Sequence, residues 1–155
     1  MAVVELSFTP LPAHVRTARL IATAIARRAA VDADVVDEIR LAVGEACSRA
    51  VRLHQSHGVV DPVRLTLAVD RGRYEIVVID AVAVDEAPRS FDDVDLSHES
   101  DLADDGSLSP GIGLAVIVGL VDSVDVVSLP AGGTEVHMSW PSGEVARDTV
   151  LAAEA

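Results

Sequence analysis

The spacing of apolar positions changes period several times along this chain, and each change marks an element. From Val3 to Phe8 apolar and polar residues alternate weakly, the period of a strand. Pro12 suits the first turn of a helix, where its missing N–H is not needed, and HVRTARLIATAIARRAA carries apolar residues at helical spacing to about Ala30. Asp32 or Asp34 is placed to cap a second helix, DADVVDEIRLAVGEACSRAVRLH. Within it Val36, Ile39, Val43, Ala46 and Ala50 recur in steps of three and four and share one face, while Glu38, Glu45, Arg49 and Arg52 form a separate polar stripe.

After a loop at SHGVVDP come two strand patterns, VRLTLAVD and RYEIVVID, joined at Asp70-Arg71-Gly72-Arg73 by a hairpin signal. The pattern then breaks. From Asp85 to Ser109 the chain is acidic and poor in large apolar residues, long for a plain connection, and reads as a functional lid or as a disordered segment. GIGLAVIVGLVDSV reads as a helix opening on glycines, and VDVVSLP and GTEVHMSW as closing strands, with a frayed tail after Pro141. Adjacent hairpin strands with helices on both sides of them in sequence predict an α/β two-layer sandwich: a mixed or antiparallel sheet covered by helices on one face.

Composition narrows the possibilities. A chain of 155 residues, half of them hydrophobic, suffices for one packed core, built from Val, Ala, Leu and Ile because aromatic residues make up only 3%. No run approaches the roughly 18 apolar residues of a membrane span, and the N-terminus lacks the pattern of a signal peptide. The single cysteine, Cys47, fits a reducing cytoplasm. The formal net charge is −13 and lysine is absent, which argues against nucleic acid as a partner; such an acidic surface suits a basic protein partner or simply keeps the molecule soluble. Cys47, His54 and His57 are only loosely spaced like metal ligands, and no metal site is expected from them.

Candidate chemistry sits in three places. Glu45 and Arg49 stand i, i+4 on the second helix, with the acid N-terminal, and read either as a plain salt bridge or as the remnant of a catalytic pair. Asp80 ends a strand. Gly111 and Gly113 open a helix whose N–H groups could cradle phosphate, and Gly132-Gly133-Thr134 turn the last hairpin. In this order, DEIRLAVGEACSRAV, VVIDAVAV and PGIGLAVIVGLVDSVDVVSLPAGGTEVHM resemble the GHKL (histidine kinase-like) ATPase superfamily, and within it the small anti-sigma-factor serine kinases of bacteria. The resemblance runs from Val3 to Trp140.

The resemblance implies a Bergerat-type domain over residues 1–141, with 85–109 as an acidic lid loop and 142–155 as a C-terminal tail. It also implies roles. Glu45 matches the residue that activates an attacking hydroxyl, but Arg49 stands where the family has the asparagine that ligates Mg²⁺. The chain contains no asparagine, and guanidinium has no lone pair for a metal. Asp80 matches the aspartate that receives the adenine amino group, with Val82 and Val84 in place of two motif glycines; valine does not adopt positive φ readily, so that turn must be reshaped. Gly111, Gly113 and Thr134 match nucleotide-side positions, with Ser109 replacing a further glycine. ATP and Mg²⁺ are thus expected only if this altered site still functions. The implied function is a partner-switching regulator that binds a sigma factor, an anti-anti-sigma (STAS-type) protein, or both, as a homodimer. The alternative is an ATP-dependent serine/threonine kinase acting on the antagonist. Arg16 and Arg19 on the first helix are the candidate partner contacts, by analogy with where the family docks sigma factors.

Overall fold

The computed structural model describes residues 1–83 and 116–143, and structural statements below concern these residues. They form, in chain order, β1 (Ala2–Phe8), α1 (Pro12–Arg28), α2 (Ala33–Ser56), β2 (Val63–Asp70), β3 (Arg73–Ile79), a helical stretch over 116–120, β4 (Ser123–Ser128) and β5 (Thr134–Pro141). The expected lid at 85–109, the glycines Gly111 and Gly113, and all but the first two residues of the expected tail lie outside the described residues.

The five strands make one sheet in the order β1-β2-β3-β5-β4, every neighbouring pair antiparallel. Of the mixed and antiparallel alternatives, the antiparallel one holds. Register explains the core. Leu6, Leu65, Val78, Val136 and Val126 line up across the sheet, as do Val4, Leu67, Ile76, Met138 and Val124, and then Val69, Tyr74 and Trp140. Because side chains alternate faces, these rows share one side, and their central members are buried. Thr66, Val77 and His137 belong to the opposite, more open face.

Helices cover the buried face. In α1, Ala18, Ala22 and Ala26 recur every fourth residue with no exposure, and α2 answers with Val43, Gly44, Ala46, Cys47 and Ala50. Such small side chains let two helices approach closely. The Tyr74 hydroxyl donates to the Ala22 carbonyl (2.9 Å), fixing α1 over β3, and the Trp140 indole donates to the Leu120 carbonyl (3.0 Å), fixing the 116–120 helix over β5.

The local signals worked as physics requires. Asp32, of the two capping candidates, accepts from the Asp34 N–H at 3.0 Å. Arg71 (φ 47°) and Gly72 (φ 77°) both take the left-handed conformation that a two-residue hairpin loop demands. One expectation needs correction: the helix expected to run through Val124 ends by Leu120, because Ser123 and Val124 pair with Ser139 and Met138 as the start of β4.

Candidate functional site

The fold gathers Arg49, Asp80, Val82 and Thr134 at one end of the sheet. Arg49 lies in the C-terminal half of α2 on the side that faces the sheet; β3 delivers Asp80 one residue past its last paired position. The Asp80 N–H donates to the Thr134 carbonyl (3.0 Å), so the start of β5 holds the aspartate's backbone in place. Gly133 (φ 107°) is needed there, because a Cβ would run into the Asp80 carbonyl oxygen.

Asp80 is committed within the protein at both carboxylate oxygens. Oδ1 accepts the Val82 N–H (3.0 Å), closing a tight turn on the strand end, and Oδ2 faces Arg49 Nη1 at 3.5 Å. Val82 is buried and is not among the residues of positive φ. Arg49 and Asp80 are 2% and 3% exposed, which makes this a buried ion pair rather than a surface one. Burial pushes the Arg49 guanidinium below its ordinary value; the charge and hydrogen bond of Asp80 pull it back up, and the nearby Arg52 charge depresses it further. A guanidinium stays protonated through such a shift.

This overturns one reading of the sequence. The i, i+4 salt bridge between Glu45 and Arg49 does not form: Arg49 turns inward to a residue 31 positions away. Glu45 sits half-buried on the same helix. The reason is geometric, since the stripe carrying Arg49 faces the open end of the sheet where Asp80 emerges.

Sequence reasoning missed a neighbour of this corner. His54, one turn beyond Ala50, is fully buried; its Nδ1–H donates to the Asp61 carbonyl (3.0 Å) and its Nε2 accepts the Ala81 N–H (3.0 Å). The Ala81 N–H facing Nε2 fixes this tautomer. His54 therefore braces the end of α2 to the segment that leaves Asp80, a role that a histidine near a helix end does not advertise. His57 is exposed and bonded to its own helix end, and among the described residues no three His, Cys, Asp or Glu side chains gather so as to hold a metal. No helix among them is long and apolar enough to cross a membrane.

Arg16 and Arg19 are both exposed on α1. The Arg19 head group lies across α2 at Gly44, where a Cβ would collide with it, so Arg19 is partly engaged with the helix pair. The order of elements, the antiparallel sheet and the position of Asp80 at a strand end opposite α2 define a histidine kinase-like ATPase fold. The match to the family model for the histidine kinase-like ATPase domain covers residues 8–140, and the chain belongs to that family. It is similar to the serine-protein kinase RsbW of Bacillus subtilis, 26% identical over 152 residues covering 96% of this chain and 92% of the relative, and to the serine-protein kinase RsbW of Bacillus velezensis, 26% identical over 144 residues covering 91% and 87%.

Proposed function

We propose that this chain is a partner-switching regulator of the anti-sigma type, which binds a sigma factor, an anti-anti-sigma protein of STAS type, or both, and does so without using ATP. The supporting observation is the buried Arg49–Asp80 pair. Where a magnesium ligand is expected, Arg49 offers fixed positive charge and no acceptor. Where the adenine amino group is expected to bind, the Asp80 oxygens are held by Arg49 and by the Val82 N–H. These residues do not fit a magnesium–nucleotide complex, so function resides in surfaces that need none. The cytoplasm is the compartment this reading requires, and a homodimer is its expected assembly.

With a net charge of −13, the partner surface is expected to be basic and the association to weaken as salt screens it. The basic helix α1 is the candidate contact for one partner. Capture of a sigma factor or antagonist should survive removal of nucleotide by apyrase, and Arg16→Glu with Arg19→Glu should weaken one partner about tenfold while leaving the circular dichroism unchanged. Capture that demands ATP would overturn the reading.

A second reading is favoured by the name of both similar proteins: an ATP-dependent serine/threonine protein kinase, with Glu45 as the base. Transfer of labelled phosphate from ATP to a STAS-type substrate, abolished by Glu45→Ala, would establish it in place of the first.

A further inference from the structure

Gly44 stands in the middle of α2, where glycine is a poor choice: it leaves the unfolded chain more freedom to lose and adds nothing to the folded helix. What its missing side chain makes room for is specific. The three atoms nearest to a Cβ placed there are Nε, Cζ and Nη2 of Arg19, the last two at 2.9 and 3.0 Å. They are the end of a flexible side chain from α1, so the space at Gly44 seats a guanidinium rather than a neighbouring backbone. The Arg19 charge also acts on the buried Cys47 thiol, three positions further along α2, as a guanidinium lying along that helix requires. Arg19 is exposed, and none of the ion pairs among the described residues takes up its charge. Leu20, next to it on α1, and Leu41, three positions before Gly44 and on the same face of α2, are 60% and 58% exposed.

We propose that Gly44 is a positioning residue for partner docking: it seats Arg19 across α2, and the seated guanidinium, with Leu20 and Leu41, takes a partner segment that carries a carboxylate among apolar side chains. This role rests on the reading that α1 contacts a partner, and it adds that α2 shapes the contact. Charge favours this occupant. A partner drawn to a net charge of −13 is basic overall, so a carboxylate on it finds its match only beside a cation already in place, which fixes how it docks. Guanidinium and carboxylate pair through parallel charge-assisted hydrogen bonds, and a side chain seated beforehand loses less freedom on binding.

The test compares Gly44→Ala with the unchanged full chain in three measurements. Thermal melting reads stability, ¹H–¹⁵N spectra read the Arg19 Nε–H signal, and calorimetry reads affinity for the sigma factor or STAS-type protein whose binding Arg16→Glu with Arg19→Glu weakens. Alanine, the better helix former, should raise Tm by about 2–4 °C. It should also shift the Arg19 signal and weaken the partner about threefold to tenfold. Arg19→Gln should weaken the partner at least as much, and adding Gly44→Ala to Arg19→Gln should change the affinity no further. Leu41→Ser should weaken the same partner at unchanged circular dichroism. A lower Tm in Gly44→Ala, an unmoved Arg19 signal, or an equal loss of affinity in the Arg19→Gln background would overturn the proposal, as would an unchanged affinity in Leu41→Ser. Arginine reversals that leave both partners bound as before sink the docking reading itself, whereas reversals that weaken a partner while Gly44→Ala does not sink the role of Gly44 alone.

Discussion

At the scale of single residues, the proposal that this chain works without a metal-bound nucleotide rests on the Arg49–Asp80 contact, whose energetics are open to test. A buried ion pair is costly to assemble but costlier to break from one side, because the survivor stays buried and uncompensated. Asp80→Asn keeps an oxygen for the Val82 N–H yet strands the Arg49 charge, and should destabilise by about 3 kcal/mol in urea unfolding. Arg49→Met should cost less than that, and the double variant less than the sum of the two. Additive effects would show that the pair is not coupled. Little of this was legible in the sequence. The absence of asparagine could be read directly. The partner of Arg49 could not, because an i, i+4 acid is the nearest candidate on paper and the true partner comes from a strand 31 residues on. His54 was equally hidden: its two hydrogen bonds join segments that only the folded topology brings together.

Among the elements, the junction of α1 and α2 carries a local conflict between sequence and backbone. Ala30 follows the helix with φ 51°, while the Val31 N–H reaches the Ala26 carbonyl (3.1 Å) and the Ala30 N–H the Arg27 carbonyl (3.2 Å). This is a Schellman ending with alanine in the place where glycine is at ease. Ala30→Gly should therefore raise unfolding stability by about 0.5–1 kcal/mol, despite the greater freedom glycine gives the unfolded chain. A loss on denaturant unfolding would mean that the Ala30 methyl, which packs near Gly143, matters more than the strain. Most elements could be read in advance because their signals are local: the proline at the start of α1, the Asp32 cap and the Asp70–Arg73 turn. The placing of β5 between β3 and β4 was not, since strand order depends on long-range pairing that periodicity does not encode. The early end of the 116–120 helix escaped for the same reason, its last expected residues being claimed by pairing with β5.

For the molecule as a whole, a core rich in small residues has buried two groups that titrate in alkali. Burial pushes the Cys47 thiol up to about 12, with the Arg19 charge opposing, and burial raises the Tyr74 phenol as well. An unfolded thiol ionises near about 8.5, so above that pH the unfolded chain holds fewer protons than the folded one. Stability is then unaffected by these groups at lower pH and falls with rising pH, from about 8.5 for the thiol and from about 10 for the phenol, by about 1.4 kcal/mol per pH unit for each group in its own window. Cys47→Ala should flatten the first part of that decline; an unchanged slope would place the titration elsewhere. The same enclosed architecture holds the buried Arg49–Asp80 pair, on which the proposal of function without ATP rests. Calorimetric titration with ATP, in Mg²⁺ and again in EDTA, tests this most directly. The account predicts no heat of micromolar binding in Mg²⁺, and no gain from Mg²⁺ over any weak binding seen in EDTA. Micromolar or tighter binding that requires Mg²⁺ and is lost in Asp80→Ala would contradict it.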